Sequence, residues 1–346
     1  MLNLKIANWN IEWMNRWFTS DSAGPAELKA SSDIGGVTDI QALAARVAAV
    51  ITDLDADVIA VQEGPSRRSE MALFVSTFLN DAYEVIGPAG SGQQKLYVLV
   101  KRGSTTIASA EAVENDIGID FDAPWDVDVN ADATLEPYNF TRPPQLVRLL
   151  TTTGASIRLI NLHLKSKYVH LGASMWNDPN RRQEFIVEAL EARRRISAES
   201  MRVRAYLDHC FDDDGEAKLV VVGDLNDGPG SDFFERFYLT HNVAGMIAGS
   251  PFQPRRMLRH AFIDTMAKEL NYTAVFDDFI DEIDDRKILL DHIFVSASLY
   301  WEGDDVTAEG KIEHAVFESH IDVNADVDSR QRLPSDHRPQ SVTIHI

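Results

Sequence analysis

The chain has 346 residues, 45% hydrophobic and 25% charged, with a single cysteine and a formal net charge of −21. That balance excludes a disordered or fibrous protein, no run approaches the roughly 18 apolar residues of a membrane span, and Cys210 alone excludes an intramolecular disulfide framework. The acidity disfavours a tight, sequence-reading nucleic-acid binder, because phosphate affinity rests on Lys and Arg, but it weighs less against a hydrolase whose site holds a divalent cation.

The apolar N-terminus, with no basic region before it, reads as a first strand rather than a secretion signal, so the expected compartment is the cytoplasm, with a removed leader left open. Thr38-Asp39-Ile40-Gln41 has capping-box form, and Ile40, Leu43, Ala44, Val47, Val50, Ile51 and Leu54 follow at helical spacing, which predicts an amphipathic helix leading into a strand over 57–62. A second helix is expected over 69–79 and a strand over 95–101, where Leu96, Val98 and Val100 alternate. Residues 103–141 are acidic and turn-rich and read as a strand or two with a long variable loop. Strands follow at 146–150 and 157–162. The strongest helical pattern spans 180–211, with Phe185, Ala189, Ala192, Ile196, Val203 and Leu207 on its buried side. Strands at 219–222, 288–295 and 341–346 complete a β-rich centre flanked by helices.

Several predicted strands end in the same way. Val221-Val222-Gly223-Asp224-Leu225-Asn226-Asp227 is an apolar run that stops at a glycine and then presents Asp, Asn and Asp. Trp9-Asn10-Ile11-Glu12, Val61-Gln62-Glu63, Asn161-Leu162-His163 and Leu290-Asp291-His292 have this form too, and Ser335-Asp336-His337 lies near the C-terminus. Oxygen donors and imidazoles delivered to strand ends are how a hydrolytic metal site is assembled from distant parts of a chain.

In this order the motifs resemble those of the endonuclease/exonuclease/phosphatase superfamily, which includes DNase I, repair nucleases, inositol polyphosphate phosphatases and bacterial sphingomyelinases. The resemblance runs from about residue 4 to the C-terminus. It implies a four-layer α/β/β/α sandwich with two packed, mixed and largely antiparallel sheets. Because the candidate ligands span Asn10 to His337, residues 1–346 are expected to form a single domain, with variable segments at 103–141 and 166–211.

The resemblance also assigns roles. Glu63 is the implied principal Mg²⁺ ligand, with Asn10, Glu12 and Asp336 at or near the metal and Mn²⁺ as a substitute. Asp224 orients or deprotonates the attacking water, and Asn226 fixes the phosphate or the nucleophile. His337 contacts the scissile phosphate and is partnered by Asp291; His163 sits over the phosphate or leaving group. Arg142, in Phe140-Thr141-Arg142-Pro143-Pro144, resembles a phosphate-contacting arginine. Lys165 and Lys167 either track a substrate backbone or are solvated loop residues. Glu12 has a bland alternative as an exposed carboxylate, and His163 as a core histidine. His292, next to Asp291 on a strand, should face the other way and is left out of the site.

The expected activity is Mg²⁺-dependent phosphodiester hydrolysis of DNA or RNA with little sequence preference. The alternative is a phospholipid, sphingomyelin or phosphorylated small molecule, for which Trp13, Trp17 and Phe18 near the site would argue unless they belong to the core. The tyrosine that repair-type relatives place near the phosphate has no clear counterpart, Tyr97, Tyr138 and Tyr168 being unaligned candidates. The segment 165–211 is either a substrate-gripping insertion or a helix packed across the sandwich. The sequence specifies no oligomeric state.

Overall fold

Side-chain alternation along the strands separates the layers. In β1 (Asn3–Asn10), Leu4 and Ile6 enter one apolar cluster while Ala7 and Trp9 enter another on the opposite face. The same division runs through β2 (Val58–Gly64), where Val58 and Ala60 oppose Ile59 and Val61. The computed structural model describes residues 2–19, 24–31, 37–89, 92–114, 116–230, 232–264, 266–302, 305–326 and 329–346. Among these, further strands of the two main sheets are β3 (Tyr83–Ala89), β4 (Lys95–Lys101), β5 (Ile107–Val113), β6 (Gln145–Thr151), β7 (Ser156–His163) and β8 (Leu219–Asp224). The rest are β9 (Leu258–His260), β10 (Asp291–Ser296), β11 (Ala308–Ile312) and β12 (Gln340–His345).

One six-stranded sheet has the order β11-β12-β1-β2-β4-β3 and the other β9-β10-β8-β7-β6-β5. Each is built around one parallel pair, β1 with β2 and β7 with β8, flanked by antiparallel neighbours. A parallel pair needs a crossover, and a helix supplies it in both sheets: α1 (Ile40–Leu54) between β1 and β2, and α3 (Arg182–Asp213) between β7 and β8. Helices α1 and α2 (Arg68–Phe78) bury Leu43, Val47, Ile51 and Phe74 against the outer face of the first sheet. Helix α3 buries Ile196, Val203 and Leu207 against Ile160, Leu162 and Val221 of the second. The inner faces of the two sheets meet in a core of Leu4, Ile6, Val58, Ala60, Leu159, Val220, Val222 and Ile293, among others. This is the four-layer α/β/β/α sandwich that the motifs imply.

The inner faces become polar toward one end of the sandwich. Continuing in steps of two, β1 passes from Ile6 to Asn8 and Asn10, β2 from Ala60 to Gln62, β7 from Leu159 to Asn161 and His163, and β8 from Val222 to Asp224. The amides join the sheets. Gln62 Nε2 donates to Asn8 Oδ1 at 2.8 Å and to Asn161 Oδ1 at 2.7 Å, and Asn161 Nδ2 donates to Gln145 Oε1 at 3.2 Å. Gln145 in turn donates to the Ile86 carbonyl, and Gln340 to that of Asp291. All five side chains are buried, so the hydrogen bonds offset the cost of desolvating them and fix the relative position of the sheets. At Gly223, φ is +146° and an added Cβ would lie 2.0 Å from the Leu162 carbonyl oxygen, so only glycine lets β8 close on β7 just before Asp224.

Three local expectations need correction. Helix α1 is capped by Asp39, whose side chain accepts from the Ala42 N–H at 2.9 Å, whereas the Thr38 hydroxyl donates to Gln331 at 2.8 Å. The capping-box spacing from Thr38 was thus one residue early. The expected strand over 288–295 is two strands, Ile283–Ile288 and β10, because the Thr273 hydroxyl takes the N–H groups of Leu290 and Asp291 and interrupts the ladder. Residues 103–141 hold β5 and a small hairpin of Trp125–Val127 with Glu136–Tyr138. Among the described residues, no helix is long and apolar enough to cross a membrane.

Candidate active site

Parallel strands β1, β2, β7 and β8 end, and antiparallel β10 and β12 begin, at the same edge of the sandwich, so six segments deliver their terminal residues to one place. Asn10 links the sheets there. Its Nδ2 donates to Asp224 Oδ2 at 3.0 Å and to Glu63 Oε1 at 3.3 Å, and its Oδ1 accepts the Glu12 N–H at 3.0 Å. The second Glu63 oxygen accepts from the Trp13 N–H at 2.8 Å and from Gln94 Nε2 at 2.6 Å. His163 Nε2 lies 3.5 Å from Asp224 Oδ2 and 3.8 Å from Glu63 Oε1. On the other flank, His337 Nδ1 bonds to Asp291 Oδ2 at 2.7 Å, and its Nε2 is 4.0 Å from Asp336 Oδ1. Ligand atoms of Asp224, Asp291 and His337 all fall within 4.8 Å of one another. The structure thereby brings Asn10, Glu63, His163, Asp224, Asp291 and His337 together.

Burial polarises these groups in opposite directions. It pushes the Asp224 carboxyl up to about 7, with the neighbouring Asp291 adding to the rise, and it raises Glu63 against the opposing hydrogen bond from the Trp13 N–H. For His337 burial works against the charged form, but the carboxylates of Asp291 and Asp336 outweigh it and hold the imidazolium well above its ordinary value. His163 goes the other way: burial, then the charges of Arg142 and His337, keep it neutral far below the usual histidine range. The two histidines therefore differ in charge at neutral pH, His337 a cation and His163 a neutral ring.

The donor set suits a hard divalent cation. Asn10 joins Glu63 to Asp224, Asp291 lies with Asp224 and His337 in one cluster, the charge of Asp336 adds to the rise at Glu63, and among the described residues Asp291 Oδ1 is buried without a hydrogen-bond partner. Glu12 stands apart from that set. Its carboxylate pairs with Arg330 and accepts the Asp336 N–H at 3.1 Å, and burial with the charge of Asp336 raises it to about 7.

The flanking residues divide in use. Arg142 spends Nε on the His163 carbonyl at 3.0 Å and one terminal nitrogen on that of Leu164 at 2.6 Å; the other is 3.4 Å from Gln94 Oε1. Asn226, at φ +52°, donates its backbone N–H to Asp224 Oδ1 at 2.8 Å and its amide to the Leu164 carbonyl at 2.9 Å. Lys165 projects from the same loop. Lys167 does not track a substrate: it is tied to Asp227 and Glu235, and Asp232 is engaged by Arg193, in a network that also contains His241. Its ammonium occupies the acidic cluster of Asp227, Glu235 and His241, which accordingly has its cation built in. Trp17 and Phe18 belong to the core, leaving Trp13, 39% exposed, as the aromatic at the rim. His292 bonds to the Asp227 carbonyl and to His260, outside the carboxylate group as expected.

Two supports were invisible in the motifs. Glu199, fully buried in α3, accepts the Thr141 N–H at 2.9 Å, the Lys165 N–H at 2.7 Å and the Tyr138 hydroxyl at 3.1 Å, and so ties down both basic loops. Only its placement on the buried stripe of an amphipathic helix could have flagged it. Gln94 bridges Glu63 and Arg142, and nothing in its local sequence signals that role.

The Endonuclease/Exonuclease/phosphatase family model matches residues 7–337. None of the curated proteins matches the chain significantly. Among solved structures, TDP2 from Caenorhabditis elegans is similar with a TM-score of 0.52 at 13% identity, covering 100% of this chain and 75% of that one. An endonuclease/exonuclease/phosphatase from Bacteroides vulgatus gives 0.52 at 13% identity with 100% of both chains covered. One from Beutenbergia cavernae gives 0.51 at 14% identity over 99% of this chain and 72% of that one. These likenesses show a shared fold, and the family match runs through every strand end that builds the site: the chain belongs to the endonuclease/exonuclease/phosphatase family.

Proposed function

We propose that the chain is a divalent-cation-dependent phosphodiesterase acting on DNA or RNA with little sequence specificity. The observation that carries this reading is the pairing of a buried carboxylate near neutrality, Asp224, with an imidazolium, His337, across one cluster that Asn10 joins to Glu63. A carboxyl raised to about 7 is matched to accept a proton from an attacking water at neutral pH. His337, kept charged by Asp291, is a fixed donor toward phosphoryl oxygens that gain charge in the transition state. Neutral His163 serves as a hydrogen-bonding group over the same point, and Asn226 and Arg142 hold the loop carrying it. Mg²⁺ or Mn²⁺, held by Glu63, Asn10 and Asp336, would polarise the phosphoryl group and neutralise its charge. Glu12 would join them only on leaving Arg330.

One observation favours a second substrate class. The hairpin Ala274–Val275 to Lys287–Ile288 is rooted beside the site, where Ala274 bridges to His337, and it exposes Phe276, Phe279 and Ile283. An apolar surface there would suit a phospholipid. Parallel assays on plasmid DNA, RNA and phospholipid vesicles with Mg²⁺ or EDTA separate the readings: hydrolysis of vesicle lipid without nucleic-acid cleavage would overturn the nuclease assignment.

A further inference from the structure

Helix α3 and the segment after β7 flank an open cavity of about 340 Å³, lined in part by Lys165, Tyr168, His170, Glu188, Glu191 and Arg195. Lys165 is two residues past His163, so their Cα atoms are at most about 7.6 Å apart.

Its charges are unequally satisfied. Glu191 is taken by one guanidinium nitrogen of Arg195 at 3.2 Å, and Glu188 is solvent-exposed. Among the described residues the Lys165 ammonium hydrogen-bonds to the Ser166 carbonyl, at 3.3 Å, and to no carboxylate. The fully buried carboxylate of Glu199 nearby accepts from the Thr141 N–H, the Tyr138 hydroxyl and the backbone N–H of Lys165 itself. Burial lowers the Lys165 pKa and the charges of Arg142 and Arg195 lower it further against the opposing charge of Glu199, a net condition that an incoming anion relieves. Beside it Tyr168 is 72% exposed, although its neighbour Val169 is buried.

A half-buried ammonium bonded to a backbone carbonyl, a guanidinium with one nitrogen on Glu191 and an exposed aromatic ring line a nucleotide-sized recess that begins two residues along the chain from His163. We infer that this cavity is a second phosphate subsite, in which Lys165 and Arg195 hold the phosphate next to the scissile one and Tyr168 receives the adjoining base. The inference rests on the nucleic-acid reading above and gives it a fixed register on the strand.

The test compares the dinucleotide TpT with its 5′-phosphorylated and 3′-phosphorylated forms, using the full chain with Mg²⁺. One of the two added phosphates is expected to raise kcat/KM about tenfold, mainly through KM, the effect of one charge-assisted hydrogen bond. That advantage should disappear in Lys165→Gln and in Arg195→Gln. Each ratio is internal to one protein, and if one variant fails to fold, the other decides. Equal rates for all three dinucleotides, or a preference that survives both substitutions, would overturn the subsite while leaving the phosphodiesterase reading intact. If wild-type protein hydrolyses neither TpT nor bis-p-nitrophenyl phosphate, the parent reading fails and the subsite with it.

Discussion

Replacing Asp291 by Asn removes the first of the charges that hold His337 in its cationic form. The substitution keeps an oxygen that can accept the Nδ1–H hydrogen bond, now 2.7 Å long, so the ring should keep its orientation. What is lost is the carboxylate charge. A hydrogen bond to a charged partner contributes roughly 1.5–3 kcal/mol, and one pKa unit corresponds to about 1.36 kcal/mol, so the His337 pKa should fall by about one to two units. The sign follows from linkage. His337 has a folded pKa above its unfolded value, so its stabilisation is complete below about 6.5 and is lost as pH rises through the folded pKa. In Asp291→Asn that contribution shrinks, and the ring can neutralise, which limits the stability cost to about the same 1.5–3 kcal/mol. Hydrolysis at neutral pH should fall about ten- to a hundredfold as the transition-state donor loses its charge. NMR titration of the His337 ring protons, assigned with His337→Gln, measures the shift directly. An unchanged His337 pKa would refute the ion-pair argument, whatever happened to the rate.

Three further outcomes follow from the same geometry. Gln62→Leu strands the buried acceptors of Asn8 and Asn161, each costing about 1–3 kcal/mol, so urea denaturation should show a loss of about 2–6 kcal/mol; a loss under about 1 kcal/mol would mean the amides do not tie the sheets together. Glu199→Gln turns a donor toward one of the two N–H groups of the Arg142 and Lys165 loops, so KM should rise by about tenfold with kcat little changed, and the opposite split would place Glu199 in the chemistry instead. Glu12 and Asp224 sit at about 7 when folded, above their unfolded values, so metal-free protein loses stability as pH rises from about 4 through 7, and Mg²⁺ bound at the Asp224 cluster should raise Tm more at about pH 8 than at pH 5. Equal Mg²⁺ effects at the two pH values would contradict the assignment of these acids.

Much of this arrangement was legible in the sequence because strands write their faces with period two. The strand over 95–101 appears with the expected bounds, and α3 spans Arg182–Asp213 where 180–211 was read. The polar residues that interrupt apolar runs, Asn10, Glu63, His163 and Asp224, could be read as candidate site residues because burying them elsewhere is costly. What escaped is set by tertiary partners. Glu12 faces Arg330 from the far end of the chain, Lys167 finds Asp227 and Glu235, and Gln94 finds Glu63, none of which local spacing encodes. The break at Leu289 and Leu290 depends on the hydroxyl of Thr273, 17 and 18 residues from its partners Leu290 and Asp291. Strand β3 was missed because its pattern is broken by Gly87 and Pro88.

The most direct test is hydrolysis of supercoiled plasmid and bis-p-nitrophenyl phosphate with Mg²⁺, with Mn²⁺ and with EDTA, beside Asp224→Ala. The arrangement described here predicts cleavage that requires the cation and falls by about 10²–10⁴ in the variant, the usual loss when a general base is removed. Cleavage that persists in EDTA, or at wild-type rate in Asp224→Ala, would contradict it.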